Sequence, residues 1–232
     1  MLKRLLIMLA ILAGLAALAD RGLAVVAGNA VGSAVQRSEK LSSKPDVTFQ
    51  GFPFLTQAFG GTFDQVDVVV RDYERDGLTF QQVEATLRDV KIGIGDALGG
   101  EVEAVPVGSG VATVTLAYAD LNDYLARQPA QVRLSGSAGA LSATATVPNV
   151  GQVRGRALPT VTGSTLRVTV TDVRRADGTA LPAAAVSAAQ SRMSFTLDLG
   201  ELPFGITLLG VKAADSALEI AGKADSIVVR VR

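Results

Sequence analysis

The sequence contains no cysteine, no histidine and no tryptophan among its 232 residues. Without cysteine there are no disulfides, no thiol nucleophiles and no thiolate metal sites. Without histidine the commonest acid–base group is missing, and a Ser–His or Cys–His nucleophilic pair is excluded. Aromatic residues make up only 5% of the chain, and neither sign of charge is in excess, since Lys plus Arg and Asp plus Glu each number 22. Nucleic-acid-binding domains ordinarily carry a basic excess or stripe, so no nucleic-acid partner is expected. The glycines form neither a phosphate loop nor a dinucleotide fingerprint, and no cofactor is expected. A metal would have to be held by carboxylates alone, which suits calcium or magnesium. The densest acids, Asp64, Asp67 and Asp72, lack the calcium-loop spacing and read as the solvated face of a strand.

What is present begins with a leader. Lys3 and Arg4 precede an apolar run of fifteen residues, Leu5 to Ala19, which closes on the A-x-A pattern Ala17-Leu18-Ala19 before Asp20. This is the grammar of a secretory signal peptide, residues 1–19, and the run is short for a membrane span, which needs about 20 apolar residues. An uncleaved anchor is the alternative. Either way the remainder works outside the cytoplasmic membrane, and an exported chain free of disulfides fits a bacterial envelope or periplasm. Losing the leader removes two bases and no acid, which leaves twenty bases against twenty-two acids, a balance of −2. From Asp20 to Leu41, Leu23, Val26, Ala27, Ala30, Val31, Ala34 and Val35 recur at helical spacing. Gly22, Gly28 and Gly32 weaken that helix, yet small residues on one face let it lie close against a sheet. The segment reads as a helix covering the core, with a membrane-touching surface helix as the other reading.

The stretch Val47 to Phe63, VTFQGFPFLTQAFGGTF, holds five of the eight phenylalanines. Pro53 cannot sit in a central strand, and Gly51 and Gly60-Gly61 permit turns, so a strand, a short apolar bend and a second strand from Thr62 are expected. The bend reads either as a core-filling corner or as the wall of an apolar ligand cavity.

Downstream the chain is rich in strands. Arg75-Asp76-Gly77 is a hairpin turn, and the parity of apolar residues changes twice between Leu78 and Ile94, which calls for bulges or bends of the kind a curved sheet requires. A Gly-rich link covers Gly93 to Gly100. Glu101–Val107 and Val111–Tyr118 read as two strands joined at Gly108-Ser109-Gly110. Asp120 is placed to cap a short helix, Leu121 to Arg127. Four strands follow between Val132 and Val173, then an Asp177-Gly178 turn and an Ala-rich helix from Leu181 to Met193 that starts near Pro182. Ser194–Leu199, Ile206–Ala213, Ala217–Ala221 and Ile227–Val231 complete the strands. With no linker or low-complexity tract, residues 20–232 read as a single domain of α+β class, mostly β, with a long N-terminal helix packed in a highly curved antiparallel sheet.

The string Pro45-x-Val47-x-Phe49-x-Gly51-Phe52-Pro53-Phe54-Leu55-Thr56-Gln57, followed by Gly61-x-Phe63-x-x-Val66-x-Val68 and later by Leu202-Pro203-Phe204-Gly205-Ile206, resembles the signature of the actinobacterial LmeA-like family of envelope proteins. The resemblance implies a tubular lipid-binding half barrel. It also implies a part in the maturation of mannosylated phosphoinositide glycolipids such as lipomannan.

The expected function is therefore non-catalytic binding, or carriage, of a phospholipid or phosphoinositide-type glycolipid at a membrane surface. The candidate wall residues are Phe52, Phe54, Leu55, Phe59, Phe80, Phe195 and Phe204, and Arg71, Arg88 and Lys91 are candidate headgroup cations. Each buried lipid methylene contributes roughly 0.8 kcal/mol, so one acyl chain suffices for affinity. Two other readings are a β-rich scaffold or adhesion domain with a solid core, and a glycan hydrolase that works through a pair of carboxylates.

Overall fold

The computed structural model describes residues 2–93, 104–199 and 207–230. The Gly-rich link from Ile94, the start of the strand expected at Glu101, and the Leu202–Ile206 motif with Phe204 lie outside the described residues. The described chain is mostly β, with 51% strand and 29% helix arranged as one long N-terminal helix and two antiparallel sheets, which is the expected α+β class. A six-stranded sheet runs in the order β1 (Asp46–Phe49), β2 (Thr62–Arg75), β3 (Leu78–Lys91), β4 (Ala104–Ala117), β11 (Ala217–Arg230), β10 (Thr207–Ala213), and a five-stranded sheet in the order β5 (Arg133–Ser137), β6 (Ala140–Val147), β7 (Gly151–Thr162), β8 (Thr165–Arg175), β9 (Phe195–Asp198). The chain divides into two compact units, residues 1–70, 84–111 and 224–232 in the first, and 71–83 and 112–223 in the second.

The first unit is organised by helix α1, Leu2–Ser38, which is continuous through the leader. Strand β1, Asp46–Phe49, pairs antiparallel with β2, Thr62–Arg75, from Asp46 opposite Val69 to Phe49 opposite Val66. As the outermost strand it has one unpaired edge, an exposed backbone ladder that proteins commonly cover. Helix α1 covers it. A Cβ on Gly28 would fall inside contact distance of the Val47 carbonyl oxygen, and one on Gly32 inside that of Pro45. The small residues thus let the helix lie directly on the strand, as expected, and of the anticipated stripe Ala27 and Val31 pack against the core, half-buried, while the closest approach is made by other residues. Ala24, Gly28 and Gly32 are buried, whereas Leu23 is 46% and Val26 65% exposed. Close approach to backbone carbonyls selects the smallest side chains rather than the most apolar.

The remaining strands of the six-stranded sheet correct the sequence reading. Strand β3, Leu78–Lys91, precedes a single β4, Ala104–Ala117, that runs straight through Gly108-Ser109-Gly110. Those glycines are not a turn. A Cβ on Gly108 would meet Asp89 Cβ at 2.9 Å and one on Gly110 would meet Leu87 Cδ2 at 3.1 Å, so they make room for side chains of β3. Likewise the two strands expected between Ala217 and Val231 are one strand, β11, Ala217–Arg230, with Ser226 at φ 52°. The β2–β3 connection is the expected hairpin, with Asp76 at φ 53° and Gly77 at φ 76°, both left-handed as a type I′ turn demands. The second parity change, between Leu87 and Val90, has a counterpart in Asp89 at φ 52° within β3, and Asp72 takes the same φ within β2, a conformation that aspartate tolerates better than most residues.

The second unit is built on β5, Arg133–Ser137, β6, Ala140–Val147, β7, Gly151–Thr162, β8, Thr165–Arg175, and β9, Phe195–Asp198. Along β6, Leu141, Ala143, Ala145 and Val147 face the core in strict alternation. In β8, Leu166, Val168 and Val170 do so until Asp172, at φ 52°, inserts one extra residue and lets Val173 face inward too. Helix α3, Tyr118–Ala126, buries Tyr118, Leu121 and Leu125 and packs on β5. It starts three residues before the expected point, and Asp120 lies in its first turn without making a cap hydrogen bond. Helix α4, Ala183–Met193, begins after Pro182 as expected and packs on β8 and β6. Strand β10, Thr207–Ala213, pairs with β11.

Candidate functional site

The aromatic bend folds into a short helix, α2, Phe54–Gly60, in the first unit. Its residues divide by face. Phe54 is buried and Ala58, one turn on, is half-buried, whereas Leu55 and Phe59 point away from the core. Phe54 stacks at 5.8 Å on Phe63 and tilts at 5.5 Å against Phe49, and Phe49 and Phe63 are 4.8 Å apart, so these three rings form one packed cluster. The bend is thus a core corner on its inner side and an open apolar surface on its outer side.

Both ends of α2 are held. The buried carboxylate of Asp20 accepts the Phe54 N–H at Oδ2 and the Leu55 N–H at Oδ1, each at 2.8 Å, which supplies the cap that Pro53 cannot. At the other end Gly61 turns left-handed at φ 65°, and its carbonyl accepts the Ile92 N–H at 3.0 Å. Between them the Gln57 carboxamide donates to the Gln50 carbonyl and accepts the Asp64 N–H. The Leu55 amide, working against burial and joined by the Phe54 amide and the Arg21 charge, holds the Asp20 carboxyl below the ordinary aspartate range. The lowered value means that the Asp20 contribution is complete above the unfolded aspartate pKa of about 3.9 and is lost as pH falls through the folded value. Acidification is therefore expected to release the N-terminus of α2, with Phe54 and Leu55 amide exchange, corrected for its intrinsic pH dependence, rising in the native chain. An Asp20→Asn chain should lack this acid transition; an equal transition in both would assign it elsewhere.

Beside the bend lies a cleft of about 460 Å³ between α1 and β1, lined by Arg21, Ala24, Val25 and Asn29 on the helix and by residues 45–50 on the strand, Val47 and Phe49 among them. That volume falls within the range of about 300–1,000 Å³ typical of ligand pockets. Its wall is mixed rather than wholly apolar. Arg21 lies with its guanidinium carbon 5.3 Å from the centre of the Phe52 ring. Lys44 donates to the Asn29 side-chain oxygen at 2.6 Å, which brings a second cation to the same helix–strand seam.

The sequence-derived candidates are dispersed. Phe52 is 59% and Phe59 77% exposed, Leu55 joins them, and Phe54 belongs to the ring cluster. Phe80 is buried in the core of the second unit, stacked on Tyr73 at 5.9 Å, and Phe195 is half-buried against that core. Arg71, Arg88 and Lys91 are exposed on β2 and β3. Asp67, expected as a solvated acid, accepts hydrogen bonds from Gln50, Gln65 and Thr86. Among the described residues no group of three or more acids is placed to hold a metal ion. Sequence reasoning missed Asp20, Arg21 and Asn29. The first two sit where a leader ends and read as processing context, and no local pattern marks Asn29.

The family described as LmeA-like phospholipid-binding matches residues 18–223, nearly the whole chain. No curated protein and no solved structure matches.

Proposed function

We propose, from the premise that this chain belongs to the LmeA-like phospholipid-binding family, that it is a non-catalytic envelope protein that takes a phospholipid or phosphoinositide-type glycolipid into the α1–β1 cleft. Residues 1–19 act as the export leader, retained as an uncleaved anchor, and residues 20–232 work as one lipid-binding domain that serves lipoglycan maturation. The observation that carries the reading is the cleft itself, which sets Ala24, Val25, Val47 and Phe49 beside a guanidinium, the pairing an amphiphile with an anionic headgroup needs. Affinity comes from methylene burial at roughly 0.8 kcal/mol each, and Arg21 selects the headgroup by charge-assisted hydrogen bonds.

The test is native mass spectrometry of the chain purified from membranes, with lipid extraction alongside. A stoichiometric lipid adduct is expected. The Arg21→Gln chain should bind phosphatidylinositol roughly ten- to a hundredfold more weakly, the loss of a hydrogen bond to a charged group worth about 1.5–3 kcal/mol. It should discriminate less between anionic and zwitterionic lipids. A chain that stays lipid-free after incubation with phospholipid vesicles overturns the proposal and favours the scaffold reading.

A further inference from the structure

We propose that the outward face of α2, Leu55 and Phe59, together with Phe52 in the bend before it, is a membrane-docking wedge that inserts into the interface of an anionic phospholipid bilayer. A tip with Phe52 59%, Leu55 38% and Phe59 77% exposed is costly to leave in water; Leu55 and Phe59 stand one turn apart on one face of α2, and Phe52 lies in the bend just before it. What covers it is indicated by α1. Leu6, Ile7, Leu9, Ile11, Leu12, Leu15 and Leu18 are all more than half exposed, and α1 contains a stretch long and apolar enough to cross a membrane. That run ends at Ala19, and the next residue, Asp20, holds the Phe54 and Leu55 amides. The wedge is therefore pinned to the point of α1 where the apolar run ends.

Length fixes the level. Fifteen helical residues from Leu5 to Ala19 rise about 22 Å, short of a hydrocarbon core of about 30 Å. The exposed Leu23, Val25 and Val26 continue the apolar surface of α1 past Ala19. The charges agree with an anionic surface. Among the described residues, Arg21 lies over the Phe52 ring and Lys91 precedes the Ile92 amide that binds Gly61, against Asp64, whose amide is held by Gln57, and Asp20, whose carboxylate is engaged by the Phe54 and Leu55 amides. A wedge of this kind holds the cleft against the membrane surface, but docking does not depend on the cleft containing lipid.

The absence of native tryptophan gives a clean test. Phe59→Trp and Phe52→Trp each place the only indole of the full-length chain on the wedge. Val111→Trp is the control, an exposed site whose neighbour Gly110 packs beside Thr86, six residues and roughly 20 Å along β3 from Ile92. Each chain is reconstituted in phosphatidylcholine–phosphatidylglycerol vesicles whose acyl chains are brominated. Blue-shifted emission with at least twofold quenching at positions 59 and 52, and no quenching at 111, is expected. Weaker quenching is expected in phosphatidylcholine alone. Solvent-like, unquenched emission at 59 and 52 overturns the proposal. So does a blue shift without quenching, which means that protein, such as a second copy of the chain, covers the face. Equal quenching at all three positions overturns the wedge, and equal quenching in the two lipid mixtures overturns its anionic preference. Lipid retention in the cleft, read by mass, stays a separate outcome.

Discussion

Replacing Phe54 by alanine is expected to cost the first unit about 3–5 kcal/mol, the range for deleting a buried phenylalanine side chain where the surroundings cannot close the cavity. The site meets that condition. Phe54 is 7% exposed, and it contacts two further rings, Phe49 and Phe63, that are themselves buried. Anchors on both sides of the gap, the Asp20 side chain of α1 holding the first amides of α2 and the β1–β2 ladder under Phe49, resist collapse. Because the chain divides into two units, the loss is best read locally, from hydrogen exchange in β1, α2 and the start of β2, rather than from one global melt. The core cluster of the second unit, which includes Phe80 and Leu116, should keep its protection. Phe52→Ala, at an exposed position, should change stability by less than about 1 kcal/mol. A Phe54→Ala loss below about 1 kcal/mol, accompanied by weakened lipid binding, would reassign the ring from core to cavity wall.

That contrast between neighbours states what was legible in the sequence and what was not. The run of phenylalanines announced a corner around Pro53, and the corner is there, with a strand on either side. Its period did not disclose that Phe54 turns inward while Phe52, Leu55 and Phe59 turn outward, because a helix of seven residues is too short for a pattern to separate its faces. The hairpin at Asp76-Gly77 and the helix start at Pro182 were readable, since each rests on backbone chemistry carried by the residue itself. Gly108 and Gly110 misled for a related reason. Glycine marks both a turn and a place where neighbouring atoms come close, and only the positions of Asp89 and Leu87 decide between the two. Asp20 was invisible as a cap because its partners, Phe54 and Leu55, are more than thirty residues away.

Gly28 carries the other large expected effect, and its sign separates two physical terms. Within a helix, glycine is intrinsically about 0.8–1.0 kcal/mol worse than alanine, so propensity alone predicts that replacing it stabilises α1. At Gly22, where an added Cβ meets nothing within 4 Å, Gly22→Ala should deliver most of that gain. At Gly28 the added Cβ would overlap the Val47 carbonyl, a backbone atom tied into β1 by its ladder with β2 and unable to step aside as a side-chain tip would. Helix or strand must move, and Gly28→Val is expected to cost about 1–3 kcal/mol net, in the range of an overpacked core, despite the better helix former. The same displacement separates the two walls of the cleft, since Ala24 and Val25 ride on the helix and Val47 and Phe49 on the strand. Lipid retention should therefore fall together with exchange protection in β1, whereas Gly22→Ala leaves retention unchanged. If Gly28→Val stabilises the chain and keeps its lipid, α1 does not seat on the edge of β1, and neither the cleft nor the pinning of α2 beside it survives as the basis for function.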